Sequence, residues 1–164
     1  IPKRDWSSDV CSSDLHILCM YFTIYYFKDK RLFFDNCFTW LSPGGYLIVH
    51  LVDKHKFDPI LPPGNPLLLV SPQKYAKERI TNTNVKFNDF TYAANFQLDR
   101  DQAKFVEKFN RGGKTRKHEH VLYMEDIDRI VEEALTSGFI LHTTIDLVNC
   151  QYEYQYLYVF IKPN

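Results

Sequence analysis

Three features that would narrow the function at once are missing from this sequence: net charge, a long apolar run and paired cysteines. The 164 residues carry 20 basic and 20 acidic side chains, so no basic surface favours a nucleic acid as partner. No apolar run approaches the roughly 20 residues that cross a membrane, and no secretory signal peptide is visible. We therefore expect no nucleic-acid partner and no membrane partner.

The four cysteines show no metal-binding or disulfide pattern. Cys11, Cys19, Cys37 and Cys150 contain no CxxC pair and have no paired histidine ligands. Neither a disulfide framework nor a zinc site is expected, and the sequence predicts no metal. Free thiols are typical of the cytoplasm, which is the expected location. The sequence predicts no oligomeric state.

The first fifteen residues differ in character from the rest of the chain. Residues 4–15 are rich in Ser and Asp and have neither helical nor strand periodicity. They are similar to the translation of a common sequencing-library adapter, whose codons GAC TGG AGT TCA GAC GTG TGC TCT TCC GAT give Asp5 to Asp14. We interpret residues 1–15 as a non-native artefact and expect the genuine chain to start near His16, inside a structural element.

Residues 16–53 have the pattern of strand, helix and strand. Apolar residues from His16 to about Thr23 predict a buried strand. Pro43-Gly44-Gly45 predicts a tight turn, and the apolar run Tyr46–Val52 predicts a second buried strand. Two strands joined through a helix are expected to run parallel.

The helix between these strands is predicted over Lys28–Leu41. Apolar side chains recur there at i, i+3, i+4 and i+7, the spacing of one helix face: Phe34, Cys37, Phe38 and Leu41. We expect the charged side chains of the helix to face water: Lys28, Lys30, Arg31 and Asp35.

After a proline-rich loop at 54–70 and a short helix at 71–79, the period changes to two. Alternation over 90–98, 105–109 and 115–123, with turns at Asp99-Arg100-Asp101 and Arg111-Gly112-Gly113, predicts an antiparallel meander.

The carboxyl-terminal part is predicted to return to a helix and a sheet. An amphipathic helix covers 127–135 and ends before Gly138. Strands at 139–148 and 152–161 are joined by a short link, so they are expected to pair antiparallel.

This order of elements resembles the second half of a class I S-adenosylmethionine-dependent methyltransferase. The most specific parts are Phe34 to Leu51, which contains WLSPGGYLIVHL, and the closing pattern Gly138-Phe139 … Tyr156-Leu157-Tyr158. The meander, with Lys114-Thr115-Arg116 leading into the last helix, is similar to that of small-molecule N-methyltransferases of the glycine N-methyltransferase type.

The resemblance implies an α/β fold. It would be a partial Rossmann-like methyltransferase sheet of the last four strands, the final strand antiparallel, with an inserted antiparallel β meander at 85–123. Residues 16–164 would form the carboxyl-terminal part of the methyltransferase domain. The implied cofactor is S-adenosylmethionine, and the implied partner is a small-molecule methyl acceptor.

Two parts of the family's pattern cannot be placed in this sequence: the glycine-rich loop, and the acidic residue after the second strand that binds the ribose hydroxyls of the cofactor. The family binds the cofactor with a glycine-rich loop after its first strand, whereas the only glycine pairs here are Gly44-Gly45 and Gly112-Gly113, both predicted as turns. We therefore expect a truncated enzyme that is inactive by itself.

Methyl transfer mainly requires alignment of the nucleophile with the methyl group. Tyr21, Phe22 and Tyr25 lie at the end of the first predicted strand, and the resemblance implies that this position lines the cofactor. Aromatic faces attract a sulfonium. These three residues are the candidate cofactor-binding residues, with a core role as the alternative. His50 is a candidate catalytic base and Asp53 a candidate substrate-binding residue, since the family's substrate loop begins there. A hydrogen-bonded core histidine is the alternative for His50.

A second candidate group lies on the last strand of the meander. Period two places Arg116, His118 and His120 on one face. His120 is a candidate catalytic base, and Arg116 and His118 are candidate substrate-binding residues, because an arginine can clamp a carboxylate through two hydrogen bonds. A solvated charged face is the alternative. The His118-Glu119-His120 cluster also suggests metal chelation, but the sequence shows no third ligand.

Two other functions compete with the leading hypothesis. A non-catalytic α/β domain would use the aromatic strands and the proline-rich loop as an interaction surface. A methyltransferase acting on RNA or its cap would need a basic surface, and the neutral charge weighs against it.

Overall fold

A computed structural model describes residues 14–59, 73 and 76–164 of the chain. These residues fall into two compact units. Unit 1 contains the described residues up to Leu51, together with Ile127–Ile145 and Leu157–Asn164. Unit 2 contains the described residues of Val52–Asp126, together with Asp146–Tyr156. The interpretation of residues 1–15 as an artefact falls almost wholly outside the described residues.

Helices and strands alternate at both ends of the described chain, and the described residues 82–123 form four successive strands. The helices are α1 (Thr23–Tyr26), α2 (Lys30–Trp40) and α3 (Ile127–Thr136). The strands are β1 (Asp14–Cys19), β2 (Leu41–Val52), β3 (Asn82–Lys86), β4 (Thr91–Asp99), β5 (Gln102–Arg111), β6 (Lys114–Tyr123), β7 (Ile140–Asp146) and β8 (Gln155–Ile161). None of the helices in this part of the chain is long and apolar enough to cross a membrane.

The first sheet has the strand order β1-β2-β8-β7. β1 and β2 pair in parallel, with Ile17 opposite Leu47, as the strand–helix–strand pattern predicts. β8 runs antiparallel to β2, because the Gly44 N–H donates to the Lys162 carbonyl (2.8 Å) and the Lys162 N–H donates to Gly45 (2.9 Å) at one end. At the other end, the Asp53 N–H donates to the Tyr154 carbonyl (2.9 Å).

The end of β7 lies beside the start of β8. The Leu147 N–H donates to the Gln155 carbonyl (3.0 Å), so the two neighbouring strands are antiparallel, as predicted. Strands β7 and β8 are both shorter than predicted. The connection between them is longer and contains a 3-10 turn at Val148–Cys150. Together with the parallel β1–β2 pair, this arrangement confirms the predicted α/β class and the antiparallel final strand.

The tight turn predicted at Pro43-Gly44-Gly45 is wrong, because β2 begins at Leu41 and passes through these residues. The backbone of Gly44 has a φ of +76°, which a non-glycine residue adopts only with strain. The register with β1 shifts there, from Asp14 opposite Leu41 to His16 opposite Tyr46. The segment stays in the sheet because Lys162 provides the backbone hydrogen bonds that a turn would otherwise make internally.

Helix α2 packs its predicted apolar face into the core of unit 1. The Asp29 carboxylate caps the helix by accepting from the Leu32 N–H at 2.9 Å. Phe34 is fully buried, and its ring centre lies 6.5 Å from that of Phe139 and 6.1 Å from that of Phe160. These aromatic contacts hold α2 against the sheet.

The prediction that Lys30 faces water is wrong. The side chain is 4% exposed, its ammonium donates to the Phe27 carbonyl at 3.2 Å, and it lies 5.9 Å from the ring centre of Tyr25. A buried ammonium requires such partners, which the helical spacing alone does not reveal.

The first strand is also shorter than predicted. β1 ends at Cys19, and residues predicted as strand lie in a turn and in α1 instead. Within the described sheet β1 is an edge strand, and Leu15 and Leu18 are more than 60% exposed. Burial raises the pKa of the Cys19 thiol to about 11.

Unit 2 contains an antiparallel meander of four strands, β3-β4-β5-β6. The sequence predicts three of them and misses β3, whose residues NTNVK are too polar to show a strand pattern. Both predicted turns are confirmed, with positive φ at Arg100, Gly112 and Gly113. Of the helix predicted at 71–79, residues 76–79 are not helical, and 71, 72, 74 and 75 lie outside the described residues.

Replacing Gly138 by Ala tests the junction after α3. Gly138 has a φ of +101°, and an added Cβ would lie 3.0 Å from Phe38 Cε2. We expect G138A to lower the free energy of unfolding by more than the roughly 1–2 kcal/mol that a left-handed backbone alone costs a non-glycine residue.

The matched control is G44A in the same unit, where φ is +76° and the nearest atom, Asn164 Oδ1, is at an ordinary 3.4 Å. Urea unfolding of both variants measures the difference. Equal losses for the two variants would show that the Phe38 contact has no part in stability.

Candidate functional site

The carboxyl ends of the parallel strands β1 and β2 bring predicted site residues together in unit 1. Tyr21 and Phe22 follow β1, and His50 lies near the end of β2. The Tyr21 and His50 rings meet edge to face with centres 6.0 Å apart, and the Phe22 and His50 ring centres are 6.4 Å apart. In open α/β sheets, ligands bind outside this end of the strands.

Tyr21 combines an exposed ring with an unusual backbone. Its φ is +53°, in the left-handed region that a bulky residue rarely adopts, and its side chain is 60% exposed. Such conformations often mark functional sites, because the surrounding structure must maintain them against strain. An exposed phenol ring beside a nearly buried imidazole offers a π-face and a hydroxyl to a ligand.

Tyr25 and His50 are both buried, at 0% and 4% exposure. Tyr25 lies within α1, with its ring 6.5 Å from Phe22 and near the Lys30 ammonium. The buried Tyr25 ring is therefore part of the core beside Phe22. A direct contact of Tyr25 with a cofactor stays a prediction.

Asp53 lies in the loop after β2, in unit 2. Its carboxylate accepts from the His55 N–H at 3.0 Å and pairs with the Lys56 ammonium at 3.4 Å. This local pattern, an aspartate accepting from the backbone two residues on, fixes the loop. A contact of Asp53 with substrate stays a prediction.

The second candidate group lies on one face of the meander, as period two predicts. In the β5–β6 register, Arg116 is opposite Phe109 and His118 is opposite Glu107. His120 is opposite Phe105, and its ring centre lies 6.2 Å from that of His118. Because directly opposite residues share a face, these side chains stand next to each other.

Glu107 belongs to this group, and the sequence interpretation missed it. Its Oε2 lies 3.5 Å from His120 Nε2, and its Oε1 accepts a hydrogen bond from the Tyr92 hydroxyl at 2.7 Å. Burial, followed by the hydrogen bond to Glu107 and its charge, raises the pKa of Tyr92 above its ordinary value. The sequence contained one indication of its role: Glu107 stands between Phe105 and Phe109 at alternate positions, so a charged residue shares a strand face with two aromatic residues.

Arg116 contacts its neighbour on the same strand. Its Nε–H donates to His118 Nε2 at 2.6 Å, so this nitrogen of the imidazole acts as acceptor. The side chains of Glu107, His118 and His120 are all partly buried, with the Phe105 and Phe109 rings 6.0 and 5.8 Å from the histidine ring centres. The arrangement can take up a proton or bind a polar group beside an apolar surface.

Arg79 is a second residue that the sequence interpretation missed. Its guanidinium carbon lies 4.9 Å from the ring centre of Phe57 and 5.4 Å from that of Phe96. The two terminal nitrogens donate to the Lys54 carbonyl (2.8 Å) and the Phe57 carbonyl (2.7 Å). Arg79 therefore ties the loop that contains Asp53 to strand β4.

Lys54 in the same loop is 5% exposed and is bound to the meander by charge. Its ammonium lies 2.7 Å from an Asp101 carboxylate oxygen and 3.1 Å from one of Asp126. Burial lowers the pKa of Lys54, but the hydrogen bonds and charges of the two carboxylates outweigh it, and the pKa is raised. The loop after β2 is thus fixed in unit 2 at two points.

No protein-family model and no curated protein matches this chain. Several solved structures are similar to it. An S-adenosylmethionine-dependent methyltransferase from Clostridium acetobutylicum superposes with a TM-score of 0.67 at 14% identity, over 92% of this chain and 58% of that protein. The fold is that of an S-adenosylmethionine-dependent methyltransferase.

Two further structures support the same fold. A sugar N-methyltransferase from Streptoalloteichus has a TM-score of 0.55 at 14% identity, over 91% of this chain and 56% of its own. An amino pentose methyltransferase from Micromonospora echinaspora, solved with S-adenosylmethionine bound, has a TM-score of 0.54 at 13% identity, over 90% and 57%. The chain thus spans less than three fifths of the length of each of these three methyltransferases.

Replacing Arg79 tests whether it holds the loop in unit 2. R79M removes two charge-assisted hydrogen bonds and the stacking between Phe57 and Phe96, so we expect a loss of about 2–4 kcal/mol in the free energy of unfolding. R79K keeps the charge but not the planar fork, and we expect it to recover less than half of the loss.

The control is R111M, which removes an exposed ion pair with Asp89 in the same unit and should change stability by less than about 1 kcal/mol. Urea unfolding followed by circular dichroism measures all three variants. A loss for R79M no larger than that for R111M would contradict the assignment.

Proposed function

We propose that this chain is the carboxyl-terminal, substrate-side part of an S-adenosylmethionine-dependent methyltransferase that methylates an amino group of a small molecule. The observation that carries the proposal is the sheet order, in which antiparallel β8 lies between parallel β2 and the edge strand β7. The names of the matched structures support an amine acceptor, since two of them methylate amino sugars or sugar nitrogens.

Unit 1 contains aromatic residues that suit the sulfur end of the cofactor. Tyr21 and Phe22 lie at the carboxyl ends of β1 and β2 beside His50, where aromatic faces suit a positively charged sulfur. S-adenosylmethionine, when bound, supplies a methyl group on that sulfur. The sequence has no glycine-rich loop after a strand, so we propose that the chain by itself binds the cofactor too weakly to measure.

Residues of unit 2 fit the acceptor. His120 would take the proton that the acceptor nitrogen loses on methylation. Glu107, with Oε2 3.5 Å from His120 Nε2, orients the imidazole and balances the charge it gains. Tyr92 holds the other oxygen of Glu107, which fixes the direction of the carboxylate.

Arg116 and His118 would bind the acceptor next to this base. The Arg116 guanidinium presents several donors and suits a carboxylate or another anionic group on the substrate. His118 accepts from Arg116 Nε, which holds the guanidinium against the strand. Asp53 would bind a cationic or hydroxyl group of the acceptor from the loop after β2.

Sequencing the transcript upstream of His16 tests the proposed truncation. We expect an open reading frame that encodes a strand, a glycine-rich loop and a helix in place of residues 4–15. A start codon near residue 16, with no such segment upstream, would contradict the enzyme and favour the non-catalytic binding domain.

Replacing His120 in the intact protein tests the proposed base. H120N removes the proton acceptor, so we expect kcat for methylation of an amino sugar to fall about 100- to 10,000-fold with little change in KM. E107Q should cause a smaller loss because the imidazole is kept but is less well oriented.

The matched control is H142N, which changes an exposed histidine on β7 of unit 1. Transfer of a labelled methyl group from S-adenosylmethionine measures each variant. Unchanged kcat for H120N, with the parent protein active, would remove His120 from the mechanism.

A further inference from the structure

The fold completes a ligand set that the sequence leaves open. His118 and His120 stand two residues apart on β6, and Glu107 stands on β5 directly opposite His118. One ligand atom from each of the three side chains lies within 4.8 Å of the other two. The HxH pair thus acquires its third ligand across the strand, from a residue on the neighbouring arm of the hairpin.

The spacing is close to that of a metal centre. Ligand atoms about 2.0–2.2 Å from a tetrahedral ion lie roughly 3.3–3.6 Å apart, so small rotations of side chains close the set. The backbone need not move, because neighbouring residues of an antiparallel pair already hold their Cβ atoms on one face.

The donor types select the ion. Two imidazole nitrogens and one carboxylate oxygen form a His₂Glu set, which suits Zn²⁺ and, with similar geometry, Co²⁺. Mg²⁺ and Ca²⁺ prefer oxygen ligands and do not fit two imidazoles. Three protein ligands leave a fourth position for water or a substrate atom.

The surroundings support binding in two ways. The Tyr92 hydroxyl donates to Glu107 Oε1 at 2.7 Å, which leaves Oε2 directed at His120. Hydrogen bonds of this kind orient metal ligands and are important for affinity. The Phe105 and Phe109 rings lie beside the two imidazoles, which are partly buried.

One contact opposes binding. Arg116 donates from Nε to His118 Nε2 at 2.6 Å, so a metal must bind His118 through Nδ1 or displace the guanidinium. A cation at this place also repels a metal ion. Arg116 therefore weakens the site, and its removal should strengthen it.

We propose that Glu107, His118 and His120 form a binding site for a divalent transition metal, with Zn²⁺ as the preferred ion. The site rests on the geometry of the meander and not on methyl transfer, and an ion bound there would prevent His120 from acting as the proposed base. The test of this site measures metal affinity and not methyl transfer. A negative result for metal binding is therefore distinct from a negative result for the proposed methyltransferase function.

The experiment is a titration of the full chain with Zn²⁺ by calorimetry and with Co²⁺ by visible absorption. It uses a C11S/C150S background, because Cys150 is exposed and Cys11 lies outside the described residues, and both thiols would compete for zinc. We expect one equivalent of Zn²⁺ to bind, and the Co²⁺ form to show the strong absorption of a tetrahedral site.

Variants locate the ion. We expect H118N, H120N and E107Q each to weaken zinc binding at least tenfold, R116M to tighten it, and H142N to leave it unchanged. E107Q keeps the shape of the side chain and its contact with Tyr92, and circular dichroism confirms folding of each variant. Binding that H120N or E107Q leaves intact, or no binding above that of an unfolded chain, would overturn the proposal.

Discussion

Strand β2 is hydrogen-bonded along both edges, and the architecture of unit 1 depends on this double pairing. β1 pairs with it in parallel and β8 in antiparallel, so the carboxyl ends of β1 and β2 lie side by side. That adjacency brings Tyr21 and Phe22 to His50. The left-handed backbone at Gly44 lets β2 continue through a Pro-Gly-Gly segment and reach Lys162.

Periodic patterns predicted much of this fold because they reflect local geometry. Helical spacing identified the buried face of α2, and alternation placed Arg116, His118 and His120 on one side of β6. The strand–helix–strand order predicted the parallel β1–β2 pair, since connections of that kind are constrained.

The features that sequence patterns missed depend on contacts between distant residues. Pro43-Gly44-Gly45 has the composition of a turn, and only pairing with Lys162 keeps it in a strand. Lys30 is buried because the Phe27 carbonyl and the Tyr25 ring receive its ammonium, and Arg79 is partly buried between the rings of Phe57 and Phe96. Glu107 joins the histidines only through the β5–β6 register, which alternation along a single strand does not define.

We propose that the carboxyl ends of β1 and β2 contact the sulfur of an S-adenosyl nucleoside cofactor. The most direct measurement is a crystal structure of the intact protein with S-adenosylhomocysteine. We expect the cofactor sulfur to lie in van der Waals contact with the Tyr21 or Phe22 ring, on the side of His50. A cofactor bound elsewhere, with these rings in contact only with protein, would contradict it.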